Sequence, residues 1–339
     1  MTAFVNTAIC PLPPLANIFV LGNLGYIFSE VQQMFKDPDF AKKLKNQKSL
    51  LLLSIPFVVY VIIFNYAPLV GWLMAFQRYK PRDGLFHSEF IGLENFRFLF
   101  RNEDFILCVR NTLAMGIINL FLGTVCPIIF AILLSEFRFN MGKKFVQTIS
   151  YLPHFLSMII LTGIVFDVLS MENGTINKVL MATGLIDKPV QWLAEPKYFW
   201  WIVAFATRWK ETGWDSIIYL AAITSINPDL YEAASIDGAG RMRRIWHITL
   251  PGLKPTILIL LIMNVGNVLN VGFELQYLLG NDLVKSVSET IDIYVLNYGI
   301  GKGNYAIGTA AGIFKSLVSI ILIVIANTSA KAMGEESLY

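Results

Sequence analysis

The sequence predicts an all-α integral membrane protein, a bundle of six transmembrane helices. Three observations carry that expectation. The 339 residues are 55% hydrophobic and only 15% charged, with mean hydropathy +0.58. A water-soluble domain carries about a quarter charged residues, so this chain has too little polar surface to cover a water-facing globule. Six separate stretches supply the roughly 20 mostly apolar residues that a span needs. Basic residues also gather in alternate connections, as expected for a chain with a cytoplasmic side.

The elements follow in order. Residues 1–45 form an N-terminal extension, apolar but interrupted by Pro11, Pro13 and Pro14. Prolines remove helix donors, so the extension reads either as an interfacial segment or as an additional helix. The first Lys or Arg is Lys36, so the basic region of a signal peptide is missing. The membrane domain covers 46–332, with spans near 50–76, 112–134, 146–169, 199–224, 255–279 and 306–326, and 333–339 form a short tail. Tyr198, Phe199, Trp200 and Trp201 read as an interfacial aromatic belt. The loops 77–105 and 171–197 are long enough for small folded caps. Lys42, Lys43, Lys45 and Lys48 precede the first span. Arg138, Lys143 and Lys144 separate the second from the third, and Arg241, Arg243 and Arg244 the fourth from the fifth. These regions share one side if the six spans alternate, which places both termini in the cytoplasm.

Composition narrows the function. Net charge is +3, with no long basic stripe, which argues against a nucleic-acid partner. Cys10, Cys108 and Cys126 lie far apart, as do His87, His154 and His247, so neither a disulfide framework nor a metal site is expected. No G-x-x-x-x-G-K-[ST] signature occurs. Gly299-Ile-Gly-Lys-Gly303 has the wrong spacing and follows no predicted strand. No nucleophile–base constellation is visible either, and the chain does not read as an enzyme.

The most informative stretch is 227–251, between the fourth and fifth spans. Asn227 suits an N-cap, Pro228 the first helical position and Asp229 the positive helix end. Ala233 and Ala234 favour helix. Gly238 and Gly240 permit a left-handed turn, after which Arg241–His247 can form a short basic helix that Pro251 stops. The result is a helical elbow that fits either docking to a cytosolic partner or lying on lipid headgroups.

Glu232-Ala233-Ala234, then Asp237-Gly238-Ala239, then Ile248, Leu250 and Pro251, resembles the EAA loop of bacterial binding-protein-dependent ABC importer permeases. The resemblance runs from about Lys45 to the C-terminus. It includes FVQTISYLPHF at 145–155, TGWDSIIYLAAI at 212–223, NVGNVLNVGFE at 264–274 and the closing ESLY. It is similar to the carbohydrate-uptake family related to the maltose system, in the branch for oligosaccharides derived from polysaccharides. The resemblance implies a second homologous permease, two cytosolic ATPase subunits that bind ATP and Mg2+, and an extracytoplasmic solute-binding protein. It also implies that Glu232, Ala233, Ala234, Asp237 and Gly238 couple to the ATPase, while Ile248, Leu250 and Pro251 fix the return into the fifth span. No cofactor is implied on this chain itself.

Polar residues inside spans usually face a bundle interior or a wet path. Asn264, Asn267, Asn270 and Glu274 fall on one stripe if the fifth span is a continuous helix. They would line a sugar path or hydrogen-bond between helices. In the fourth span, Arg208, Trp209, Lys210 and Trp214 offer stacking surface and positive charge suited to acidic, uronate-containing sugars. Arg208 and Glu211 are spaced i,i+3 and Glu211 and Asp215 i,i+4, so an internal network in which Glu211 and Asp215 consume that positive charge is the other reading. Gly308 and Gly312 form a GxxxG pair read as close helix packing. A proline at 153 suggests a kink in the third span. A non-sugar solute on the same fold, or an ion-gradient-driven transporter, remain the alternatives. The latter usually shows paired repeats, which are not visible.

Overall fold

Hydropathy and length decide the main elements. A computed structural model describes residues 47–137 and 139–332. The N-terminal extension, Lys42, Lys43, Lys45, Arg138 and the 333–339 tail lie outside the described residues. Four helices are long and apolar enough to cross a membrane: Lys48–Phe76, Glu103–Ser135, Arg241–Gly266 and Tyr305–Ala332. Asn140–Phe155 and Met158–Leu169 reach that standard only as a pair, bent by 104°. The Pro196–Thr224 helix has 29 residues, but Arg208, Lys210, Glu211 and Asp215 interrupt its apolar run. The chain is thus an all-α membrane protein with four such helices among the described residues, or five if the bent pair is one span.

Three local expectations need correcting. The expected continuous helix over 255–279 ends at Gly266 and resumes only at Glu274–Leu279. Between them the chain turns, with Asn267 N–H donating to Asn264 O (3.0 Å), Asn270 N–H to Asn267 O (2.8 Å) and Gly272 at φ +88°. A break in hydrocarbon is tolerated only if its freed backbone groups find partners. Here Asn267 Nδ2 donates to Met263 O (3.1 Å) and buried Gln276 Nε2 to Val271 O (2.6 Å). Pro251 does not stop the elbow's second helix, which continues through a π-turn at Ile245–Thr249 into Leu250–Gly266. The ring of Pro251 would clash with the carbonyl four residues back, and the wider π-turn, with Leu250 N–H bonded to Ile245 O, relieves that. At 153 the proline produces a break rather than a kink. Leu152–Phe155 tightens to a 3-10 turn, and Ser157 then caps the next helix by accepting from Ile160 N–H (3.3 Å).

The described residues form two compact units. One comprises 47–106 and Tyr294–Leu322. Its interior is aromatic, with Phe105 packed edge-on against Tyr294 and Phe314. Gly299 and Gly308 bring two backbones together, since a Cβ on either would lie 2.9 Å from the other's Cα. The second glycine of the GxxxG pair, Gly312, faces open space. The 77–105 segment is folded, as expected: Gln77–Arg78 pairs antiparallel with Glu89–Phe90, and Asn95 Nδ2 bonds Ala75 O and Gln77 O at 2.9 and 3.0 Å.

The other unit runs from Leu107 to Ile293, joined by the end of the last helix from Ile323. One apolar cluster packs Met115, Leu161, Phe199, Val203 and Leu275 together, and another packs Ile128, Tyr219, Ile223 and Leu253. Phe199 is therefore core rather than interfacial belt, and Trp200 turns inward to donate to Val287 O (2.9 Å). The Pro196–Thr224 helix approaches the third-span segment so closely that a Cβ at Gly213 would fall on the Ser150 carbonyl. Residues 171–197 are organised by buried Asn177, which donates to Ser170 O and Val190 O and accepts from Val190 N–H and Trp192 Nε1–H.

Candidate functional site

Two features of this second unit can carry function: an exposed elbow and a polar cavity. Capping chemistry builds the elbow. Asn227 Oδ1 accepts from Asp229 N–H (3.0 Å) and starts the helix Pro228–Ile236. That helix ends in a Schellman motif: Ala239 N–H bonds Ala234 O (2.8 Å), and Gly238 N–H bonds Ser235 O (3.2 Å). Such a turn needs a residue in left-handed conformation, and Gly238 has φ +72°. Gly240 does not share that role; it is extended, with φ −68° and ψ 167°, and opens the next helix. Two side-chain bonds close the elbow, Arg244 Nη1 to Ser235 Oγ (3.0 Å) and Tyr231 Oη with Thr249 Oγ1 (3.0 Å). Glu232, Ala233, Asp237 and Pro251 are exposed, while Ala234, Ile248 and Leu250 are half-buried. Ile236, Met242 and Trp246 are also exposed, at 87%, 66% and 63%. Sequence reasoning did not single out these three, although apolar side chains amid a polar elbow were the available signal.

The cavity holds about 340 Å³. Its polar lining includes Asn119, Arg208, Asp215, Asn264, Asn267 and Asn270, with Tyr219 beside them. The helix break at 267–273 thus brings three of the four expected stripe residues to one hollow, although they do not share a helix face. Glu274, exposed at the start of the following helix, does not line it. Asn270 Nδ2 donates to Asn267 Oδ1 (3.1 Å). Glycines make the room: a Cβ at Gly116 would fall on the Val268 carbonyl, and one at Gly123 would lie 2.6 Å from Arg208 Nη1. Asn119 was missed from sequence, yet it is the only amide or charged side chain between Thr112 and Leu134.

The charged residues in the middle of the Pro196–Thr224 helix, Arg208 to Asp215, divide into two sets. Lys210 is buried, and its Nζ donates to His154 O (2.6 Å) and Glu211 Oε1 (2.8 Å). Glu211 Oε2 meets His154 Nδ1 at 2.6 Å, and Trp214 stacks on that imidazole with centroids 4.4 Å apart. This set clamps the 152–157 break to the helix, and none of its members lines the cavity. Arg208 pairs with Asp215 instead of Glu211, Nη1 to Oδ2 at 3.4 Å, and both line the cavity. Trp209 is 52% exposed and is not part of the lining. Among the described residues, no cluster of His, Cys, Asp and Glu could hold a metal ion.

Long apolar helices, a polar cavity at a broken helix and an exposed helical elbow define a polytopic membrane protein with a polar hollow among its helices. Residues 105–334 match the family described as binding-protein-dependent transport system inner membrane component, and the chain belongs to that family, as a permease subunit of an ABC importer. It is 42% identical over 297 residues to the polygalacturonan/rhamnogalacturonan transport system permease protein YteP of Bacillus subtilis (strain 168), covering 88% of this chain and 92% of that one. It is similar to a chain in the crystal structure of a bacterial ABC transporter involved in the import of the acidic polysaccharide alginate, with TM-score 0.81 and 38% identity over 87% of this chain and 99% of that chain. A chain of a bacterial alginate ABC transporter in complex with an alginate pentasaccharide-bound periplasmic protein matches with TM-score 0.81 and 37% identity, covering 88% and 100%.

Proposed function

We propose that this permease carries oligosaccharides, acidic ones among them, through the cavity of its second unit, with a homologous permease forming the rest of the path. One observation carries the reading: Asn119, Asn264, Asn267 and Asn270 meet Arg208 and Asp215 around one cavity. Amides both donate to and accept from sugar hydroxyls. The relatives named for polygalacturonan/rhamnogalacturonan and for alginate support an acidic cargo. Six spans with cytoplasmic termini fit the bent pair and the charged Pro196–Thr224 helix counted as one span each, and the basic connections support that orientation. The elbow then faces the cytoplasm, where Glu232, Ala233 and the exposed Ile236 and Met242 dock on one of two ATPase subunits. An extracytoplasmic binding protein delivers the sugar.

The test reconstitutes the whole importer in proteoliposomes with Asn267→Ala or Asn270→Ala. Loss of a hydrogen bond costs about 0.5–1.5 kcal/mol. Sugar-stimulated ATPase should therefore need a several-fold higher concentration of loaded binding protein. Parent-like stimulation in both variants would refute the path.

A further inference from the structure

We propose that Arg208 and Asp215 form an exchangeable carboxylate site: Asp215 holds the guanidinium between transport events, and a uronate carboxylate of the passing sugar takes its place. The inference rests on the sugar path proposed above and names the atoms by which that path selects its cargo. Of the two adjacent cations, only Arg208 is available, because Lys210 is bound to Glu211 and to the His154 carbonyl. The Arg208 side chain is only 15% exposed, yet its sole carboxylate contact among the described residues is Asp215 Oδ2 at 3.4 Å. Charge-assisted N–H···O bonds run nearer 2.7–2.9 Å. Its Nε is buried and has no hydrogen-bond partner among the described residues. A guanidinium presents a planar fork suited to two carboxylate oxygens at once. Asp215 engages it long and through one oxygen, which is a poor use of that fork.

Two further details fit an exchange. Gly123 seats the guanidinium: a Cβ there would lie 2.6 Å from Nη1 and 3.3 Å from Cζ. The Asp215 side chain is 37% exposed, so a displaced carboxylate can hydrate in the cavity. An arginine left unpaired in a buried path would be strongly destabilising, and one with no competitor would retain its anion. Transport requires binding strong enough to admit the cargo and weak enough to release it. A built-in aspartate meets both demands, since the guanidinium stays paired before and after the sugar passes.

The experiment uses the reconstituted importer with its binding protein. The probes are a tetragalacturonate and its fully methyl-esterified form, and the readout is the ratio of acidic to ester-stimulated uptake. Comparing each variant with the parent cancels the binding protein's own preference and any difference in assembled amount. Arg208→Gln should lower the ratio about ten-fold, the scale of a lost charged hydrogen bond. Asp215→Asn, close in shape but uncharged, should raise it. Unchanged ratios in both variants overturn the exchange. A fall in the first without a rise in the second also overturns it, because Asp215 then does not compete. If Arg208→Gln fails to assemble, Asp215→Asn decides alone. An unchanged ratio in an importer that Asn267→Ala weakens for both sugars refutes the exchange and leaves the path standing. Parent-like behaviour of Asn267→Ala toward both sugars refutes the path and the exchange with it.

Discussion

Replacing Gly238 separates the elbow's own conformation from its contact with a partner. At φ +72°, a Cβ on Gly238 would meet nothing within 4 Å among the described residues. The cost of a side chain is therefore backbone conformation alone. For an ordinary L-residue the left-handed region costs about 1–2 kcal/mol, a factor of roughly 5–30 in population. Asn tolerates that region better, and a β-branched residue tolerates it worst. Leaving it would break the Ala239-to-Ala234 and Gly238-to-Ser235 bonds and re-aim Arg241 and the helix behind it. Sugar uptake per ATP hydrolysed, measured in the reconstituted importer, should then fall in the order Gly, Gly238→Asn, Gly238→Ala, Gly238→Val, with Val effectively uncoupled. A Val variant that transports as many sugars per ATP as the parent would refute the coupling role. Equal, severe loss in Asn, Ala and Val would refute the backbone argument and point to a side-chain clash with the partner.

Other positions give sharper structural tests. Glu211→Ala would leave Lys210 buried without its carboxylate, and should cost about 3–5 kcal/mol, read as a fall in the detergent-solubilised complex's unfolding temperature. Gly213→Ala sets a methyl against the Ser150 backbone, which cannot swing aside as a side chain would, and overpacking of this kind costs about 1–3 kcal/mol. The same unfolding measurement checks it, and parent-like stability would show that the two helices are looser than described. Cysteines introduced at Lys143 and Arg243 should label from the cytoplasmic side and one at Glu89 from outside; labelling of Lys143 and Arg243 from opposite sides would break the six-span topology.

The elbow was largely legible because its determinants are local. Asn227 as cap and Gly238 as left-handed turn follow from residue chemistry within a few positions. Gly240 misled because glycine permits positive φ without requiring it. The break after Gly266 was hidden for a different reason. Val265, Val268, Leu269 and Val271 keep the apolar run going, so hydropathy reads straight through a turn whose cost is met by Asn267 and Gln276 side chains. Asn264, Asn267 and Asn270 do gather at one cavity, but a turn, not a helix face, brings them there. A charge network in the Pro196–Thr224 helix was readable from its own spacing, but which acid takes which cation was not. Glu211 is claimed by Lys210 and by His154, which lies 57 residues earlier, and only that long-range contact leaves Arg208 to Asp215.

The proposed path takes sugar past the Asn264–Asn270 turn. The most direct measurement places a single cysteine there, Asn267→Cys, in a chain whose three native cysteines are serine. A water-soluble thiol reagent is applied to the working importer with and without loaded binding protein and ATP. Labelling should slow while a uronic-acid oligosaccharide is being transported, and an ATPase-inactive complex should show no such protection. Labelling at the same rate whether or not sugar is moving would contradict that path.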